Sequence, residues 1–179
     1  MKKFLVDNAE TMEDYWFEAQ YLLETLVMKA KGQDKNGMDL SFTQGSVTLE
    51  GSNDAAKFFK KMDERGAKPM KGWHTNLTLP LEKILAGYLA EFKRTKDIGD
   101  VKKLTLLVLT DGKWDGMDDK EDVARVIVDF AKEMEHLTKD ALPKRERRVS
   151  IEFIQFGFDE DATARLRRLD DDLPYEGVP

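Results

Sequence analysis

The sequence predicts an α/β fold: one open, mostly parallel, Rossmann-like central sheet with helices on both faces and an antiparallel hairpin at one edge. Three observations predict it. Apolar runs of strand length alternate with stretches of helical periodicity in the order β-α-β-β-α-α-β-α-β-α. The run Leu104–Leu109 is apolar on both faces, as a central strand of a parallel sheet must be. Residues 38–50 alternate on either side of Gln44 and Gly45, which marks the hairpin.

The elements follow in order. Phe4, Leu5 and Val6 form a short strand that ends in Asp7. Met12, Trp16, Ala19, Leu23, Leu26, Val27 and Ala30 then share one stripe, so a helix is expected over about 12–31. Thr11 with Asp14 gives it a capping-box-like start, and Gly32 a stop. After the hairpin, Asn53 or Asp54 opens a short helix carrying Ala56, Phe59 and Met62, closed by Gly66. Residues 67–76 read as a surface loop.

Thr78 precedes the next helix, where Leu81, Ile84, Leu85, Tyr88, Leu89 and Phe92 are in phase and Pro80 fits the first turn. A polar linker, Thr95 to Asp100, leads to the strand at 104–109. Helical spacing returns from Val123 to Leu137, with Asp118 and Asp119 as helix-start residues. The run Lys144 to Arg148 reads as a solvated linker, Val149 to Phe156 as a strand and Ala162 to Leu169 as the last helix. Asp170 to Asp172 form its solvated end. There is no internal repeat, so residues 1–179 are expected to form a single domain, long enough to remove roughly 70% of the unfolded surface from water.

Composition excludes several functions. The chain has 35 acidic and 29 basic side chains, a net charge of −6 that does not suit a general nucleic-acid binder. Having no cysteine, it has no disulfide, thiolate zinc site or cysteine nucleophile, and two histidines make a His-rich metal centre implausible. The apolar run before Asp7 is only Phe4, Leu5 and Val6, too short for a signal peptide, and no run is long enough to span a bilayer. The expected compartment is cytoplasmic or nuclear, without membrane partners.

In open α/β sheets ligands gather beyond the carboxyl ends of the strands, where strand order reverses. Asp7 and Asp111 are each the first acidic residue after an apolar strand, and each leads into a loop before a helix. Alone, Asp7 would read as a residue capping the next loop; paired with Asp111 it points to a site. Thr11 and Thr75 add hydroxyls, giving an all-oxygen set suited to Mg²⁺, Mn²⁺ or Ca²⁺. Thr11 is also expected to be the N-cap of the first helix. A partial calcium-loop pattern at Asp111, Asp115, Gly116, Asp119 and Asp122 is broken by Lys113 and by the strand that precedes it.

Three strings, 4–12 (FLVDNAETM), the TNL at 75–77 and 106–112 (LLVLTDG), resemble the three segments of the metal-ion-dependent adhesion site of von Willebrand factor type A domains. The segment 151–173 is similar to the last strand and helix of intracellular, fungal-type members, and related sequences often continue beyond the position of Tyr175–Pro179. The resemblance implies metal ligation by Asp7, Thr11, Thr75 and Asp111. It implies a weakened or lost ion too, because Ala9 replaces a serine ligand of the Asp-x-Ser-x-Ser motif. The implied function is non-enzymatic: an ion at the crevice would attract an acidic side chain of a protein partner. Asn8, Glu10, Trp73, His74 and Trp114 are candidates for the partner-binding rim. The two tryptophans could equally pack against neighbouring helices, and a lone histidine in a polar loop is ordinarily solvated.

A second reading takes Asp7-x-Ala9-x-Thr11 as the Asp-x-Asp-x-Thr of a haloacid-dehalogenase-like phosphohydrolase, with Asp7 as nucleophile. Ala9 cannot protonate a leaving group, and the hairpin at 38–50 fits the adhesion fold better. No serine–histidine–acid set, phosphate-binding glycine loop or dinucleotide fingerprint is present.

Overall fold

A computed structural model describes residues 1–95, 97–139, 147–171 and 173, with the side chain of Ile98 left out. Lys144 to Glu146 of the basic linker, Asp172 and the segment from Tyr175 lie outside the described residues.

Among the described residues five strands form one sheet in the order β3-β2-β1-β4-β5. These are β1 (Lys2–Val6), β2 (Met38–Phe42), β3 (Leu49–Ser52), β4 (Leu104–Thr110) and β5 (Val149–Gln155). β1 lies parallel to β2 and β4, β4 parallel to β5, and only β2 with β3 is antiparallel. The helices are α1 (Trp16–Ala30), α2 (Ala55–Asp63), α3 (Thr78–Arg94), α4 (Asp122–Thr138) and α5 (Glu160–Asp171). The architecture is thus the expected α/β type, a mostly parallel sheet flanked by helices with one antiparallel edge strand.

Alternation along the central strands separates two cores. Phe4 and Val6 of β1 pack with Leu109 of β4 under α1 and α2, where Leu23, Val27, Phe58 and Met62 are buried. Leu5, Leu106 and Val108 point the other way, against Leu81, Leu85 and Tyr88 of α3 and Phe130 of α4, with Leu166 and Leu169 of α5 partly covering the same face. Burial on both faces is why β4 is apolar at almost every position. Each such leucine contributes about 1.5–3 kcal/mol relative to an exposed one.

Several local expectations are corrected. The chain after β1 turns first through a 3-10 helix, Glu10–Tyr15, and α1 starts only at Trp16. Thr11 does not cap: Ala9 holds the N-cap position of the 3-10 helix with no side-chain bond, and Thr11 Oγ1 makes none. In α2 the buried pair is Phe58 and Met62, one helical turn apart, while Phe59 is 43% exposed. Phe58 is held there by an edge-on contact with Phe4, ring centres 5.9 Å apart. Asp54 is the residue that caps α2, accepting from Ala56 N at 3.0 Å. Asp119 accepts from Glu121 N at 2.9 Å, just ahead of α4, which begins at Asp122 rather than earlier.

Candidate functional site

β1 has β2 on one side and β4 on the other, so strand order reverses beside it and a crevice opens at the carboxyl ends of β1 and β4. The parallel register aligns Val6 with both Phe42 and Leu109. The next residue of each strand therefore falls in one row: Thr43, Asp7, Thr110. Asp7 N donates to Leu109 O at 2.8 Å, locking the exit of β1 onto β4.

Asp7 is fully buried, and both its carboxylate oxygens are occupied. Oδ1 accepts from Thr43 Oγ1 at 3.2 Å and from Ala9 N at 3.2 Å. Thr75 Oγ1, carried on the loop between α2 and α3, stands 3.0 Å from both oxygens. Thr110 Oγ1 lies 2.8 Å from Oδ2. A hydroxyl has one proton and two lone pairs. Thr110 Oγ1 already accepts from Gly112 N (3.0 Å) and Trp114 Nε1 (3.2 Å), so its proton is committed to Asp7.

Burial pushes the Asp7 carboxyl up to about 6; hydrogen bonds from Thr110, Ala9 N and Thr75 oppose this, and the negative charge of Asp111 adds to it. The unfolded value is 3.8, so the stabilising contribution of this group is full below that pH and is lost as pH rises through 6. At neutral pH keeping the buried Asp7 ionised costs the bare fold about 3 kcal/mol. A cation in the crevice would offset that cost.

Asp111 is buried beside this row. Its Oδ1 accepts from Lys113 N at 3.0 Å, whereas Oδ2 is buried with no hydrogen-bond partner. Thr11 Oγ1 is orphaned in the same way. Buried polar atoms normally find partners, so two orphans on the loops leaving β1 and β4 are informative. Thr75, by donating its proton to Asp7, keeps its lone pairs for another ligand. The donor set thus fits a hard divalent cation, and buried Ala9, two residues after Asp7, adds no side-chain oxygen to it. Among the described residues no group of three or more His, Cys, Asp or Glu side chains is placed to hold a metal; this donor set has only two carboxylates.

The rim candidates separate. Asn8 is buried and acts as a clamp: Nδ2 donates to Gln44 O and Gly66 O, and Oδ1 accepts from Gln44 N at 2.8 Å. Trp114 is likewise not on the rim. Its indole is fully buried, tilted against Phe153, with the Arg165 guanidinium 5.4 Å from the ring centre. Glu10 Oε2 accepts from Gly72 N at 2.6 Å and Glu10 N donates to Trp73 O at 2.8 Å, fastening the two loops together.

His74 is 61% exposed, and its Nδ1 lies 2.7 Å from Asp115 Oδ2. Asp115 Oδ1 takes the Thr75 N–H at 2.9 Å, so one carboxylate orients both the histidine and the threonine. Asp115 holds the His74 imidazolium above its usual range. Burial opposes the charge of Asp115, but hydrogen bonds from His74 and Thr75 N outweigh it and lower that carboxyl. The close docking needs Gly116, where a Cβ would come 2.9 Å from Thr75 O. A cleft of about 510 Å³ opens here, lined by Gln44, Trp73, His74, Asn76, Asp115 and Met117 among others. The other residues of the calcium-loop pattern are committed elsewhere, Asp119 and Asp122 both to Arg125.

Sequence reasoning missed Thr43, Thr110 and Asp115. A signal for the first two existed: like Asp7, each directly follows the last apolar residue of its strand, and parallel pairing sets such residues side by side.

No family model matches the chain, and no curated protein matches its sequence. Among solved structures, the conserved hypothetical protein BatB from Bacteroides thetaiotaomicron is similar over 88% of this chain, with a TM-score of 0.53 and 11% identity. The chain spans 66% of that protein's length, just under two thirds. Three N-terminal domains of the type V pili tip protein Mfa5 from Porphyromonas gingivalis match 62% of this chain and 19% of theirs, at 11% identity and a TM-score of 0.35, too low to carry an argument. The likeness to BatB concerns the fold alone. Together with the strand order, it fits the Rossmann-like architecture of von Willebrand factor type A domains.

Proposed function

We propose that this chain is a non-enzymatic protein-interaction module, a von Willebrand factor type A-like domain whose adhesion site survives in degenerate form at the carboxyl edge of the sheet. The observation that carries the reading is the pair of buried, unpartnered oxygens, Asp111 Oδ2 and Thr11 Oγ1, on the loops flanking buried Asp7. Thr11, Thr75, Asp111 and Asp7 would hold Mg²⁺ or Mn²⁺, directly or through water. A bound ion would supply positive charge for an acidic side chain of a partner protein. Without it, Asp7 and Asp111 repel such a ligand. Glu10, Trp73 and His74 would frame the approach. Nucleic acid is not the expected partner, given the net charge of −6. No helix among the described residues is long and apolar enough to cross a membrane.

The phosphohydrolase reading draws no support from the geometry. The position that should carry the general acid is Ala9, which is fully buried and offers only a methyl group.

The test is thermal unfolding with increasing Mn²⁺. An ion bound only by the folded chain raises Tm, by the equivalent of about 2.7 kcal/mol at a hundredfold excess over Kd. The rise should vanish in Asp111→Asn. An unchanged Tm in the wild-type chain would remove the cation from the proposal.

A further inference from the structure

We propose that the outer edge of β5, unpaired among the described residues, is a dimerisation surface on which a second copy of this chain pairs its own β5, antiparallel, extending the sheet to ten strands across a two-fold axis. The inference does not rest on the cation site.

The hydrogen-bond phase of β5 comes first. Arg148 O accepts from Leu104 N and Phe156 N donates to Thr110 O, both at 2.9 Å, so the even-numbered residues of β5 bond to β4. N–H and C=O of one residue point to the same side of a strand. Val149, Ile151, Phe153 and Gln155 therefore direct their backbone groups outward, and among the described residues β5 is the last strand in the sheet.

Exposed edges are ordinarily blunted by shortness, irregularity, lysine or proline. The opposite edge has such devices: β3 is four residues long, contains Gly51, and pairs with a register shift between Met38 and Leu40. β5 has none. It runs seven residues, Val-Ser-Ile-Glu-Phe-Ile-Gln, without proline, glycine or lysine. Ile151 and Phe153 are only partly buried and line an open groove of about 510 Å³ with Ile127, Leu166 and Leu169.

The surface complements itself. With the two-fold axis at Ile151, Val149 faces Phe153 of the second copy and Ile151 faces its counterpart, all with outward backbone groups as paired strands require. On the other face Glu152 lies opposite Ser150 of the second copy, an uncharged residue whose hydroxyl donates to its own Glu152 at 3.2 Å. The same axis sets the two α5 helices antiparallel beside the groove. Arg167 on the groove wall would then approach Asp170 and Asp171 of the second copy. Parallel pairing would set like charges together.

Sedimentation of the full chain from about 1 to 300 µM should show a concentration-dependent dimer. Hydrogen exchange should then protect the amides of Ile151 and Phe153 only at dimer-forming concentrations, while those of Glu152 and Ile154 stay protected throughout. Ile151→Pro removes an outward N–H that β4 does not use, so it should give a folded monomer by circular dichroism. Arg167→Glu, on the exposed side of α5, should weaken dimerisation about tenfold without altering the monomer. A chain that stays monomeric at the highest concentration overturns the proposal. So does a dimer that survives Ile151→Pro, or one in which the odd-numbered amides exchange freely.

Discussion

Thr110 commits its hydroxyl proton to Asp7, with Oγ1 and Oδ2 2.8 Å apart, because two other donors, Gly112 N and Trp114 Nε1, fill its lone pairs. The strand end, the glycine turn and the buried indole thus share one oxygen. Thr110→Val keeps the shape but leaves both donors unpaired and buried. It should cost about 2–4 kcal/mol in urea unfolding, and Thr110→Ser should restore most of that.

Ala9→Ser returns a hydroxyl to a buried position two residues from Asp7, whose Oδ1 accepts the Ala9 N–H. If the missing oxygen is what weakens cation binding, the Mn²⁺-induced rise in Tm should be larger in Ala9→Ser than in the wild-type chain at equal concentration. Equal shifts would mean that position 9 is not part of the ligand shell.

Gly116→Ala forces a Cβ within 2.9 Å of Thr75 O and 3.0 Å of the His74 backbone. The loop bearing Asp115 must retreat, at about 1–3 kcal/mol of stability. The decisive readout is the His74 imidazole by NMR titration: its upward shift depends on the Asp115 carboxylate, so it should fall back toward 6.5.

A separate ionic cluster sets the acid response. Burial disfavours the charge on Asp34, but hydrogen bonds from Lys102 (2.8 Å) and Asn36 N and the amino terminus at 3.1 Å outweigh it, holding the carboxyl well below its ordinary 3.8. The folded value lies below the unfolded one, so the stabilisation is present above about pH 4 and is lost as pH falls further. Asp34→Asn should cost about 1–2 kcal/mol at pH 7, discounted for the half-exposed lysine, and the deficit should shrink in acid.

The element order was legible because period-2 and period-3.6 patterns alternate cleanly, and Asp7 and Asp111 stood out as the acids that terminate apolar strands. What periodicity could not supply was the neighbour of each strand. Thr43 and Thr110 acquire meaning only when the register sets them on either side of Asp7. The late start of α1 was hidden for a related reason: the Asp7 carboxylate captures the Ala9 amide, and the chain enters a 3-10 turn. The pattern alone does not separate Phe59 from Phe58, because a three-residue and a four-residue spacing to Met62 fit a nine-residue helix equally well until Phe4 selects Phe58.

Trp114 adopts φ 45°, a backbone region uncommon for so large a residue, and so delivers its indole to the underside of the crevice. The molecule thereby carries an optical gauge wired to its own acidic pair. With Trp16 and Trp73 replaced by phenylalanine, emission from the remaining indole would register any event that tugs on Thr110, and occupancy could be followed in a cuvette without a label.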